Sequence, residues 1–537
     1  SCLVGSEMCI RDRHCRMRRF LTVLAVSSAL VFTPAMAQDH AGKADAQDAA
    51  KADTGKPDKV EASAVEDAQP RKDSVTTSRG QKIAYTATPG HLTLRDDDGE
   101  AIASLFYVAY TADNLGAKAR RPVTFLFNGG PGSSTMWLHM GSWGPVRVDT
   151  PTPTAYAPAP FAIGKNPLTM LDISDLVFID ALGTGLSRPL GKHQASEFWG
   201  VDNDLKTFTQ GIVRYLSIND RWNSPKFVYG ESYGTLRAAG LALSLQKAGV
   251  QPNGIILQSS ILNYGARQTG FDIDEVRMLP SYAATAWYHH RLANRPAALE
   301  PFLTEVRRFA TGPYLNALAQ GFNLPADQRQ AIAGQLSAYT GIAPQVLLAG
   351  NLRIDLNRYR KELLRDSAET IGRLDSRFMG PESEVLGDRP EYDATDTSMT
   401  GPYVAALNSY LFGTLGYKTQ LYYRPNYYSG MLRGWDQSHV ADDGRKQALA
   451  ATSLDLAAAM RQNPHLKVLA MNGYYDLATP FFGAEWDLAH MSIPEALKRN
   501  ITYTYYESGH MIYIDPPSMK KMKDDLDAFY AAAQSGD

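Results

Sequence analysis

Five residues, Gly230-Glu231-Ser232-Tyr233-Gly234, constrain this chain more than any other stretch. They form a G-x-S-x-G pentapeptide. A strand-like run, Lys226-Phe227-Val228-Tyr229, precedes it, and a helix-like run, Thr235 to Leu243, comes after it. Strand, tight turn and helix in that order describe a nucleophile elbow. The turn imposes an uncommon backbone conformation on the serine. Small residues two before and two after it let strand and helix approach, and glycine does so at least cost. The serine hydroxyl then stands above the ends of a sheet, on the first turn of a helix. The same pentapeptide also occurs in purely structural turns, so the rest of the chain has to decide.

Val123 to Phe127 is a continuous apolar run, and Leu176 to Asp180, Gly254 to Gln258, Leu466 to Met471 and Ile501 to Tyr506 also read as strands. Runs of this kind suit strands buried on both faces. Alternating with helical stretches, they predict an α/β fold built on a doubly wound, mostly parallel sheet. Ile83 to Thr88, His91 to Leu94 and Ala101 to Tyr110 read as antiparallel edge strands leading into it. Asp96-Asp97-Asp98-Gly99 is a turn, and it lacks the later ligand positions of a calcium loop.

Beyond Tyr264 the strand pattern stops. Amphipathic helical segments occur at Pro296 to Thr311, Ala326 to Ser337 and Leu352 to Arg365, with aromatic loops such as Leu421 to Tyr428. This predicts a largely helical cap, 265–440, inserted between two parts of the sheet domain, 74–264 and 441–537. Lys446 to Arg461 is the expected return helix and Met519 to Ala533 the closing one. No internal repeat is evident.

The N-terminal part carries targeting signals. Residues 1–16 read as foreign to the rest of the chain. From Met17 the chain shows a basic start, an apolar run from Phe20 to Phe32, and Ala35-Met36-Ala37. That is the pattern of a signal peptide cut before Gln38. It predicts an exported protein, periplasmic or secreted, without stable membrane insertion after cleavage; an uncleaved anchor is the alternative. Residues 38–73 are rich in Ala, Asp, Lys and Gln, and read as a disordered spacer too poor in apolar surface to fold.

Composition excludes several functions. With 54 basic and 56 acidic residues the chain has no electrostatic footprint for nucleic acid. All three cysteines lie before Met17, so the body holds no disulfide framework, no zinc thiolates and no cysteine nucleophile. No H-E-x-x-H occurs, and His289-His290 lacks metal-ligand spacing. We expect no metal and no cofactor. His139, His439 and His490 belong to no motif.

Three further stretches supply chemistry. Asn128-Gly129-Gly130-Pro131-Gly132-Ser133-Ser134 comes after a buried strand, and its glycines let backbone amides point into a site. The Walker lysine and the dinucleotide spacing are both missing, so an oxyanion hole fits better, with amides from Gly130 and Tyr233. Asp476 comes after the Leu466–Met471 strand, and His510 after the last strand. Ser232, Asp476 and His510 thus occur in that chain order. His510 would take the serine proton and return it to the leaving group, and Asp476 would fix the imidazole tautomer.

These motifs resemble the four signatures of the serine carboxypeptidase family: Asn128 to Ser134, Gly230 to Gly234, Asp476 to Pro480, and Gly509-His510-Met511. Ser142 to Pro145 and Phe178 to Asp180 sit where that family has related stretches. The resemblance runs from about Phe125 to Pro516. It implies an α/β-hydrolase fold with a cap, and release of C-terminal residues from peptides with a free C-terminus through an acyl-enzyme. It also implies that Asn128, Gly129 and Glu231 recognise the terminal carboxylate. Three positions depart from the family pattern. Leu126 stands where it has tryptophan, Ser133 where it has cysteine, and Ser142 where it has an acid. An esterase or acyltransferase using the same triad is the alternative within this fold. An inactive hydrolase-fold binding protein is a third reading.

Overall fold

The computed structural model describes residues 61–153, 158–268 and 270–535. The signal-like segment, and the expected spacer as far as residue 60, lie outside the described residues.

Nine strands form one sheet: β1 (Arg71–Thr76), β2 (Lys82–Arg95), β3 (Ala101–Ala112), β4 (Val123–Phe127), β5 (Asp175–Ile179), β6 (Lys226–Ser232), β7 (Gly254–Ser260), β8 (Lys467–Gly473) and β9 (Ile501–Tyr506). Their spatial order is β1-β2-β3-β5-β4-β6-β7-β8-β9, and a two-residue strand, Arg188–Pro189, pairs with β3. The last six in that order run parallel to one another, and β1, β2 and β3 add an antiparallel edge. From β4 the chain goes one way to β5, then back across β4 to β6. The gap between the carboxyl ends of β4 and β6 is therefore a topological switch point, where open α/β sheets bind ligands. Phe127 lies opposite Gly230 in the register, which puts Asn128 beside Glu231.

β4 and β5 are buried along their whole length, which explains their unbroken apolar sequence. Alternate residues feed two cores. Phe125, Val228 and Leu257 face one layer, with Leu205 and Phe208 of α2 (Val201–Ile218) and Leu236 of α3 (Tyr233–Lys247). Leu126, Tyr229 and Ile256 face the other, with Met519 and Leu526 of the closing helix, Pro516–Ser535.

Between β7 and β8 come four principal helices: α4 (Ile273–Tyr288), α5 (Leu299–Phe309), α6 (Ala326–Thr340) and α7 (Ala394–Asn408). Residues of α4, α5 and α6 share a third core with Tyr475, Leu477 and Phe481. Met399 and Tyr403 of α7 pack instead into the sheet core. Neither α4 nor α7 is among the helices expected from sequence. Each carries an internal proline, Pro280 and Pro402, which argues against a helix until packing overrides it.

Other boundaries also differ. The ordered body starts before Ser74: Arg71–Thr76 is a strand, Gln69 N donates to Pro89 O at 3.0 Å, and Arg214 donates to the Glu66 carboxylate. The Glu66 carboxylate of this polar stretch is taken up by Arg214 of α2 and by Thr93 N of β2. The two strands expected around Pro89-Gly90 are one, β2, because the ladder with β3 runs unbroken through that point, Pro89 opposite Val108 and Gly90 opposite Tyr107. The return helix spans Ser453–Gln462 rather than starting at Lys446. The backbone before it bonds outward: Ala450 N donates to Gln437 O, and Ala450 O accepts from Tyr264 N.

Candidate active site

The elbow has the geometry its sequence demands. Ser232 adopts φ 64° and ψ −133°, and α3 starts at the next residue. A methyl on Gly230 would overlap the Gly234 carbonyl, and one on Gly234 would lie 2.8 Å from Phe127 O. Both positions therefore need glycine. The β4 loop closes on the same turn, since a methyl on Gly129 would overlap the Tyr233 amide nitrogen. Gly130, at φ 110°, and Ser232 both line a cavity of about 420 Å³. Tyr233 supplies the first N–H of α3, which has no acceptor inside the helix.

His510 lines that cavity too, and Asp476 stands behind it. His510 Nδ1 lies 2.7 Å from Asp476 Oδ2. Asp476 is fully buried, and Oδ1 accepts from Ala478 N and Thr479 N at 2.8 and 2.9 Å. Burial alone would depress the His510 pKa. The Asp476 carboxylate outweighs it, Glu231 adds to this, and the net shift is upward.

Glu231 is the cavity's buried acid, 3 % exposed. Asn128 Nδ2 donates to Oε1 at 2.8 Å and Gln258 Nε2 donates to Oε2 at 3.0 Å. Leu138 N donates to Asn128 Oδ1 at 3.0 Å, which turns the amide donor of Asn128 toward Glu231. Burial raises the Glu231 pKa to about 7, with His510 opposing and Asp476 reinforcing the shift. A carboxyl with that pKa is half protonated near neutral pH.

The departures from the family pattern have local accounts. Ser142 is buried and its hydroxyl donates to Leu138 O at 2.6 Å, closing the short helix α1, Met136–Gly141; it is a helix end here. Ser133 Oγ accepts from Trp137 Nε1 at 3.1 Å, and Trp137 walls the cavity. Leu126 is a core residue on the sheet.

Sequence reasoning missed two groups. Gln258 lies in the buried strand β7, directly opposite Glu231 in the register, so a polar residue after an apolar run was the available signal. The second is Arg373 to Arg377, from the inserted region. Leu477 N donates to Arg373 O at 3.1 Å, His510 N to Leu374 O at 2.6 Å, and Gly509 N to Asp375 Oδ2 at 3.2 Å. Arg377 pairs with Asp375 at 2.7 Å and donates to Glu507 O at 2.7 Å. This segment stitches the Asp476 loop to the His510 loop, and no local motif announces it. His289 bonds to Ser376 O in the same region, at 2.6 Å.

Sheet order, switch point and elbow together define an α/β-hydrolase fold. A solved structure of KEX1, a prohormone-processing carboxypeptidase from Saccharomyces cerevisiae, shares that fold, with a TM-score of 0.52 and 15% identity over 83% of this chain and 91% of that one. A family model for serine carboxypeptidases, Peptidase_S10, matches residues 79–295, which contain the elbow and the glycine loop. Serine carboxypeptidase-like 20 of Arabidopsis thaliana is 26% identical over 171 residues, covering 30% of this chain and 32% of that protein. Pheromone-processing carboxypeptidase KEX1 of Saccharomyces cerevisiae is 28% identical over 171 residues, covering 27% of this chain and 21% of its own length. The matched stretch thus spans a third or less of these curated relatives. The findings support the serine carboxypeptidase resemblance over the first part of the sheet.

Proposed function

We propose that this chain is a serine-type carboxypeptidase that releases C-terminal residues from peptides. Ser232 is the nucleophile, His510 the base and then the acid, and Asp476 holds the imidazole. The amides of Gly130 and Tyr233 stabilise the oxyanion, commonly worth a few kcal/mol each. Asn128, Gly129 and Glu231 receive the peptide's terminal carboxylate.

One observation carries the reading: a buried carboxyl, Glu231, sits next to Ser232 with a pKa raised to about 7. An ester substrate has no use for such a group. A free C-terminus does, because two carboxylates that share a proton form a strong charge-assisted hydrogen bond. The family match over residues 79–295 supports the same reading.

The export reading rests on Met17 to Ala37. Among the described residues no helix is long and apolar enough to cross a membrane. N-terminal sequencing of the mature protein tests it, with Gln38 expected first and Met17 contradicting cleavage.

The test of activity is mass spectrometry of a peptide mixture after incubation. Stepwise loss from the C-terminus is expected, with amidated peptides spared. Shortening from the N-terminus, or cleavage of simple esters with no action on peptides, would refute the proposal.

A further inference from the structure

Five acidic, basic or imidazole side chains line the Ser232 cavity: Glu231, Arg373, Asp393, Asp396 and His510. Four have an account within the fold. Glu231 and His510 belong to the networks above. Asp393 caps α7: Oδ1 accepts from Thr395 N and Asp396 N at 3.0 and 3.2 Å. Its Oδ2 accepts from Arg373 N at 2.9 Å and pairs with Arg360 at 3.3 Å. Asp396 lies in the first turn of α7, where the helix dipole favours an acid, and accepts from Thr400 Oγ1 at 3.4 Å.

Arg373 is the exception. It is the only arginine or lysine lining the cavity, and its side chain is exposed there. Among the described residues its guanidinium forms no ion pair and no hydrogen bond. Its backbone, by contrast, is fixed on three sides. Arg373 N is held by Asp393, Arg373 O by Leu477 N, and the next carbonyl, Leu374 O, by His510 N. A free cation thus hangs from a segment bonded to both the Asp476 loop and His510.

We propose that Arg373 binds a carboxylate of the substrate, an acidic side chain or the C-terminus itself. The proposal rests on the peptidase reading and extends it to specificity. A planar guanidinium meets a carboxylate with two parallel donors, and a bound carboxylate would give Arg373 the partner the fold does not. The alternative is that Arg373 only offsets the charges of Asp393 and Asp396 from a distance.

Binding to the Ser232→Ala protein decides between these, because it needs no turnover. Calorimetry would use four N-acetylated dipeptides that carry Glu or Gln and end as acid or amide. Adding Arg373→Met should weaken binding of the peptides that carry the recognised carboxylate by about tenfold or more. Peptides without it should change little, and Arg373→Lys should recover part of the loss. A penalty that follows Glu over Gln assigns the acidic side chain. One that follows acid over amide assigns the C-terminus. Equal changes for all four peptides, or none, would overturn the role of Arg373 alone. Failure of the Ser232→Ala protein to bind any of the four would overturn the peptide reading as well.

Discussion

Gln258 and Glu231 stand opposite each other on parallel strands, and the Gln258 amide donates to the Glu231 carboxylate at 3.0 Å. The same amide reaches His510 O at 3.3 Å, and Tyr229 OH donates to Gln258 Oε1 at 2.6 Å. One side chain thus ties Glu231 to the histidine loop. Removing its donor in Gln258→Met should leave the Glu231 anion short of a hydrogen bond. Such a bond to a charged group is worth roughly 1.5–3 kcal/mol, so the Glu231 pKa should rise by about one to two units. The pH at which KM for a free-acid peptide begins to climb should move up by a similar amount. An unmoved KM profile in Gln258→Met would separate Gln258 from carboxylate binding.

Ser232→Ala should abolish both hydrolysis and labelling by a fluorophosphonate while leaving the thermal transition in place. The positive φ at Ser232 is retained by alanine at similar cost, so the fold has no reason to change. Labelling that persists in the mutant would mean that another hydroxyl is the nucleophile.

Asp375 and Arg377 are a buried ion pair beneath the His510 loop, and a methyl on Gly509 would overlap Asp375 Cβ. Asp375→Asn keeps the shape but leaves Arg377 less than fully paired. Breaking a buried pair of this kind costs about 3–5 kcal/mol. The melting temperature should fall, and kcat should fall by up to about 10²-fold, the scale expected when a reacting group shifts by an ångström. KM should change far less. Active-site titration with the fluorophosphonate corrects for unfolded protein. Unchanged kcat per labelled site would reduce the pair to a purely structural role.

His439 lies between Asp202 and Asp455, at 2.5 and 2.7 Å. Burial opposes its protonation, but the two carboxylates outweigh that and raise its pKa to about 9. A folded-state pKa above the ordinary 6.5 gives stability that is fully present below 6.5 and lost as pH rises through about 9. His439→Gln should therefore lower the melting temperature clearly at pH 6, and the gap to wild type should narrow between pH 7 and 10. A gap constant across that range would show that His439 is neutral in the fold.

Much of this molecule is local chemistry and can be read from sequence. The elbow glycines, the glycine loop after β4 and the apolar strands each carry their constraint in a few consecutive residues, so sheet and elbow are legible in short windows. Residues such as Asp375 act over long range. Its partner Gly509 lies 134 positions away, and nothing near either predicts the contact. Pro280 and Pro402 hide two helices, because local propensity argues against what packing stabilises. Glu66 and Asp67 read as spacer because their composition is polar, yet they bond to Arg214 and Tyr417 across the fold. Gln258 lies between these cases: its polarity after an apolar run is visible, its partner is not.

The central claim is that Glu231 recognises a free C-terminus by sharing a proton with it. The most direct test is KM against pH for a peptide acid and its matched amide, in the wild-type enzyme and in Glu231→Gln. On that claim Glu231 should be protonated below about pH 7 and donate to the substrate carboxylate, and above it two anions should repel. KM for the acid should therefore rise as pH passes through about 7, while KM for the amide stays nearly flat, and Glu231→Gln should flatten the acid profile. Identical pH profiles for acid and amide in the wild-type enzyme would contradict the account.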